Sequence, residues 1–114
     1  MRSFASGKVT GTGNAINVVC GFLPDYVKLV NVSDAGNLNP MMEWWKSLGD
    51  NSGIKYLTIV DSGTTGYASH QFVNVNGISL YMGSDNEGQG FTIGADGDIN
   101  VNGEDIHWIA MREV

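Results

Sequence analysis

Glycine, asparagine and aspartate interrupt this chain at short, regular intervals, and this spacing constrains its fold more than any other feature. Gly11-Thr12-Gly13-Asn14, Asp34-Ala35-Gly36-Asn37, Gly49-Asp50-Asn51-Ser52-Gly53, Asp61-Ser62-Gly63, Asn76-Gly77, Gly83-Ser84-Asp85-Asn86, Asp96-Gly97 and Asn102-Gly103 all favour turns. Gly and Asn supply positive φ, while Asp and Ser bond their own backbone. Between them lie short runs rich in Val, Ile, Tyr and Phe, at 3–10, 15–21, 26–32, 41–47, 54–60, 67–73, 77–82, 90–94, 98–102 and 105–113. Strands at this spacing predict an antiparallel β-sandwich or barrel. No repeat, linker or low-complexity segment divides the 114 residues, so 1–114 reads as one domain, long enough to bury its own core.

The last quarter shows the strand pattern best. Phe91 and Ile93 share one face of an extended strand, and Ile106, Trp108 and Ala110 share one face of another. If Trp108 faces the core, His107 faces out. Ile99 and Val101 alternate with polar neighbours, which predicts a half-buried strand over 98–102. Residues 39–48 are ambiguous. Pro40, Gly49 and the stripe Met41, Trp44, Trp45, Leu48 fit a short helix. So short a helix is marginal, and the surrounding strand pattern favours a strand over 41–47. Residues 1–10 read as an outer strand or an extended arm.

Charge excludes some functions. The net charge is −6, and the six basic residues, Arg2, Lys8, Lys28, Lys46, Lys55 and Arg112, are scattered. Nucleic acid and anionic membrane surfaces both need clustered basic residues, so neither is an expected partner. Cys20 is the one cysteine and cannot form an intrachain disulfide; its apolar neighbours make it a small buried hydrophobe. No apolar run approaches the ~20 residues of a membrane helix, and the first residues lack a signal-peptide core. The expectation is a soluble protein made in a reducing cytoplasm.

No catalytic or metal-binding set is legible. Asp98 to Gly103 matches the first half of a calcium loop, but its twelfth position is Ile109, which cannot ligate. His70 and His107 are far apart in sequence, no Gly-x-Ser-x-Gly elbow supports a hydrolase, and no Gly-Lys-Ser/Thr follows a glycine loop. The expectation is a non-enzyme without metal or cofactor. Trp44 and Trp45 cannot both point inward from one strand, so one of them is exposed. An exposed Trp in a low-charge protein marks an interaction face, for a protein partner or a sugar ring. Trp44 and Trp45, with Arg2 and Phe4 of the N-terminal strand or arm, are the candidate interface residues.

Two patterns also resemble a domain common in tailed-phage and prophage virion proteins. Ser6-Gly7-Lys8-Val9-Thr10-Gly11-Thr12-Gly13, then Ile16-Asn17-Val18 and Gly21-Phe22-Leu23-Pro24-Asp25-Tyr26-Val27-Lys28-Leu29, is similar to the family's opening. Gly90-Phe91-Thr92-Ile93-Gly94, Asp98-Ile99-Asn100, Gly103 and Trp108-Ile109-Ala110 are similar to its ending. Thr58-Ile59-Val60-Asp61-Ser62-Gly63-Thr64-Thr65 resembles its middle, with Ser62 breaking the usual Asp-Gly pair and Lys8-Val9 standing at the usual aromatic position. These motifs bear on fold more than on activity and carry over no catalytic residue. The resemblance implies an all-β sandwich, jelly-roll-like in form, in a virion structural protein. A stand-alone domain of this kind suits a capsid decoration protein on the shell exterior. Its expected partners are the major capsid protein and further copies of itself, as a dimer or trimer. The alternative is a glycan- or receptor-binding module of a tail fibre or spike.

Overall fold

The computed structural model describes residues 2–33, 39–61 and 65–113, with the backbone alone at Arg2, 59–61 and 65–68. The strands are β1 (Arg2–Thr10), β2 (Ile16–Val19), β3 (Tyr26–Asn31), β4 (Met41–Trp45), β5 (Ser52–Asp61), β6 (Thr65–Tyr81), β7 (Gly90–Ile93) and β8 (Asp105–Glu113). A 3-10 turn, Lys46–Leu48, follows β4. All eight strands join one sheet in the order β1-β8-β3-β4-β5-β6-β7-β2, and every pairing is antiparallel.

The connectivity itself requires this sheet to curl. β1 and β2 are its two edges, yet they are consecutive in the chain. Six steps from Thr10 to Ile16 reach about 22 Å at most, whereas seven strand gaps in a flat sheet would span about 34 Å. The sheet closes into a half-barrel, and its two halves meet across the core. Phe91 of β7 packs edge-on against Trp108 of β8, with ring centroids 5.4 Å apart, although four strands separate β7 from β8 in the sheet.

The inner face is the core. Val27 and Leu29, Met42 and Trp44, and Ile106, Trp108 and Ala110 alternate with exposed or half-buried neighbours along β3, β4 and β8. Val18, Phe22, Ile78, Phe91, Ile93 and Ile99 complete the same cluster. Gly7 of β1 lies under Trp108, and a Cβ there would stand 2.8 Å from Trp108 Cζ2. At Gly90, where the sequence pattern predicts a close approach or a bulge before a core strand, a Cβ would overlap the Val18 carbonyl oxygen.

Buried Asn100 ties the two edges together. Its Oδ1 accepts the N–H groups of Thr12 (2.9 Å) and Gly13 (3.2 Å), and its Nδ2 donates to the carbonyls of Asn14 (2.6 Å) and Gly94 (3.1 Å). Every hydrogen-bonding position of that amide is used. One side chain therefore holds the β1–β2 connection against the β7–β8 loop.

Three expectations are corrected. The predicted strand over 98–102 is a turn. Asp96 Oδ1 accepts the N–H groups of Asp98 (2.9 Å) and Ile99 (3.2 Å), and the Asn100 N–H donates to the Asp96 carbonyl, which uses the backbone groups a strand would need. Asn76-Gly77 does not separate two strands, because β6 runs through it. The pairing jumps from Gly53↔Val73 to Ser52↔Ile78, so 74–77 bulge out with Asn76 at φ 59°. The strand expected over 41–47 ends at Trp45, where the 3-10 turn begins. Residues 1–10 form an outer strand rather than an arm from Arg2 onward. The turn at 34–37, positions 62 and 63 of the turn at 61–63, and part of the middle motif, 62–64, lie outside the described residues.

Candidate functional site

Strand register places the outer-face side chains in rows across the sheet. Phe4 stands opposite Met111, Met111 opposite Tyr26, and Tyr26 opposite Trp45. This row crosses β1, β8, β3 and β4, about 14 Å from end to end at ~4.8 Å per strand. Phe4 is 63% exposed, and Met111 and Trp45 are each 39% exposed. The adjacent row runs Ser6, Ile109, Lys28, Glu43, Ile54 and Phe72, and Phe72 is exposed at its far end. Exposed apolar side chains standing singly are ordinary, but a continuous band of them marks an interaction surface.

A carboxylate sits within this aromatic band. Glu43 points out of β4 between inward Met42 and Trp44. The Tyr26 hydroxyl donates to Glu43 Oε2, and Tyr56 also hydrogen-bonds this carboxylate. These bonds, the first of them above all, and nearby Lys28 hold the Glu43 carboxyl below the usual glutamate range. Burial and the Glu43 bond push the Tyr26 phenol well above its ordinary value, and the same carboxylate raises Tyr56. Tyr56 in turn meets His70 edge-on, with ring centroids 4.8 Å apart. The outer face thus presents aromatic rings whose hydroxyls are already engaged, which fixes their orientation before any partner arrives. An open groove beside the row, lined by Ser6, Lys8, Lys28, Val30, His107 and Ile109, adds basic character to a chain that is acidic overall.

The loop that resembles half of a calcium site faces the opposite way. Lys55 leaves β5 on the inner face, opposite Met42, with its side chain 11% exposed. Its Nζ lies 3.0 Å from Asp96 Oδ2 and 2.5 Å from Asp98 Oδ2. Asp98 also carries an interaction beyond these. Among the described residues, no three His, Cys, Asp or Glu side chains form a metal-holding group, and no helix is long and apolar enough to cross a membrane. Comparison with family models, curated proteins and solved structures finds no match to this chain.

Of the residues singled out from sequence, the structure brings Phe4 and Trp45 into one row. It removes Trp44 from the candidate interface, because that ring is 1% exposed in the core and its Nε1 donates to the Gly49 carbonyl at 2.8 Å. The Arg2 backbone pairs with Glu113, and its side chain lies outside the described residues. His107 is exposed, as the burial of Trp108 requires. Cys20 is half-buried against the core; its Sγ donates to the Phe22 carbonyl at 3.3 Å, and burial raises its thiol pKa. Sequence reading missed Met111, Tyr26, Glu43 and Tyr56 as members of the band. Period-2 alternation could have placed each of them on an outer face, but no local signal says which outer residues become neighbours.

Proposed function

We propose that this protein is a structural component of a phage particle, a capsid decoration protein that binds the assembled shell and stabilises it. The observation that carries this reading is the outer-face row Phe4–Met111–Tyr26–Trp45, exposed at Phe4, Met111 and Trp45 and half-buried at Tyr26. An apolar, aromatic, pre-oriented surface suits docking onto a protein, where Trp and Tyr serve as anchors. The resemblance of residues 6–110 to phage virion domains supports the same reading. The partner is then the major capsid protein, and the site of action is the capsid exterior, after synthesis in the host cytoplasm. Mass action supplies the mechanism: a ligand that binds only the assembled shell stabilises it by RT ln(1 + [L]/Kd).

Particles depleted of the protein should assemble but lose heat and chelator tolerance, and adding back the pure protein should restore it. Trp45→Ala should weaken docking by more than about 1 kcal/mol while leaving the fold intact. Depleted particles as robust as complete ones would overturn the reading. A glycan-binding module of a tail fibre or spike is the second reading. Its support is Glu43, a carboxylate two residues from exposed Trp45 on the outer side of β4, since sugar sites pair an aromatic platform with a polar acceptor. In that case Trp45→Ala would abolish binding to cells or to a glycan array and leave particle stability unchanged.

A further inference from the structure

β1 is an open edge: among the described residues, its strand partner is β8. The direction of its free backbone groups follows from two hydrogen bonds. The Gly11 N–H donates to the Glu104 carbonyl at 2.7 Å, and Gly11 stands opposite Glu104 when the register Thr10↔Asp105 is continued. Bonded and non-bonded pairs alternate along an antiparallel ladder. Val9, Gly7, Ala5 and Ser3 therefore turn their N–H and C=O groups toward β8. The Val32 N–H donates to the Asp105 carbonyl at 3.1 Å, which assigns the alternate β8 residues to β3 and agrees with this phase. Phe4, Ser6, Lys8 and Thr10 are left with both backbone groups aimed at the open edge. Phe4, Ser6 and Lys8 also carry their exposed side chains on the outer face.

We propose that β1 is the seam of a two-fold symmetric dimer of this chain, pairing with β1 of a second copy about an axis through Ser6. An axis normal to the sheet keeps outer face beside outer face and open backbone groups opposite open backbone groups. Only the register centred on Ser6 pairs all nine residues, Arg2 to Thr10, with their counterparts. It sets Phe4 opposite Lys8 of the second copy, where an ammonium and its aliphatic stem suit a ring face. A register centred on Lys8 would instead oppose two like charges, which is destabilising. The other sheet edge, β2, has four residues and offers a shorter ladder. The seam also joins the two Phe4–Met111–Tyr26–Trp45 rows into one surface, and it stands whether that surface meets a shell or a glycan.

Sedimentation of the full chain from micromolar concentration upward tests this. The unmodified protein should be a concentration-dependent dimer. Ser6→Pro removes an N–H that the β8 ladder does not use, so it should give a monomer with unchanged circular dichroism. Phe4→Lys places like charges across the seam and should weaken the dimer at least tenfold. Adding Lys8→Glu to Phe4→Lys should restore it. Positions 4 and 8 lie about 13 Å apart along one strand, so that rescue arises between copies and reports the register. Should Ser6→Pro misfold, the Phe4/Lys8 pair carries the test alone. Trp45→Ala should leave the dimer intact. A monomer at every concentration, or a dimer indifferent to Phe4→Lys, overturns the proposal.

Discussion

The Lys55 ammonium lies 3.0 Å from Asp96 Oδ2, so the acidic loop after β7 is neutralised by a cation from the protein's own β5. Asp98 Oδ2 pairs with the same ammonium. The Asp-Gly-Asp spacing that looks like the start of a cation loop thus pins the loop to the inner face of the sheet. Burial by itself lowers the Lys55 pKa, but the hydrogen bonds and the charges of Asp98 and Asp96 together outweigh it and leave the pKa raised.

Lys55→Met should destabilise the fold by about 3 kcal/mol, because two neighbouring carboxylates lose their shared partner. Denaturant unfolding measures this, and adding Asp98→Asn should recover part of the loss by removing one of the unpaired charges. Since the Lys55 pKa is raised on folding, its contribution is fully present below the ordinary lysine pKa of about 10.4 and is lost as pH rises through the folded value.

Chelator should leave the melting temperature unchanged, because the Lys55 ammonium already pairs with both Asp96 and Asp98. A lower melting temperature in EDTA that calcium restores would show that a metal competes with the lysine.

Asn100→Ala should cost about 2–4 kcal/mol, since it strands two N–H donors and two carbonyls that the amide now satisfies. Asn100→Asp should fare little better. It keeps the acceptor for Thr12 and Gly13 but turns a carboxylate toward the carbonyls of Asn14 and Gly94. Thermal unfolding followed by circular dichroism separates these from the unmodified chain.

Gly7→Ala should destabilise by about 1–3 kcal/mol through overpacking. The new methyl would press on the Trp108 indole, so the near-ultraviolet circular dichroism and tryptophan emission should change with it. Unaltered spectra and stability would mean that β1 can move away from Trp108 at little cost.

Glu43→Gln should lower the titration midpoints of Tyr26 and Tyr56, read by phenolate absorbance. Tyr56 should move closer to its ordinary value, because the bond to Glu43 is the first cause of its shift. Burial leads for Tyr26, so Tyr26 should stay raised. The Glu43 carboxyl is itself lowered, so its stabilisation is present above the ordinary glutamate pKa of about 4.3 and is lost as pH falls through the lower folded value. Glu43→Gln should flatten that acid limb of the stability profile.

Period-2 alternation is a local property, so whatever depends on it alone can be read from the order of residues. It determined that the chain is all-β, that Phe91 and Ile93 share one face of a strand and Ile106, Trp108 and Ala110 one face of another, and that only one of Trp44 and Trp45 could point inward. A run of alternating residues specifies two faces but not which strand lies alongside, because each strand's hydrogen bonds are made with a distant segment. Tertiary structure alone therefore decided that Trp44 is the inward ring, that β6 continues past the bulge at 74–77, and that residues 98–102 turn instead of pairing. It also decided the row from Phe4 to Trp45, whose four members come from four separate strands. Lys55 is the clearest case. Alternation permits it on either face, and only the curl of the sheet, required by the short link from β1 to β2, brings Asp96 and Asp98 within reach of its ammonium.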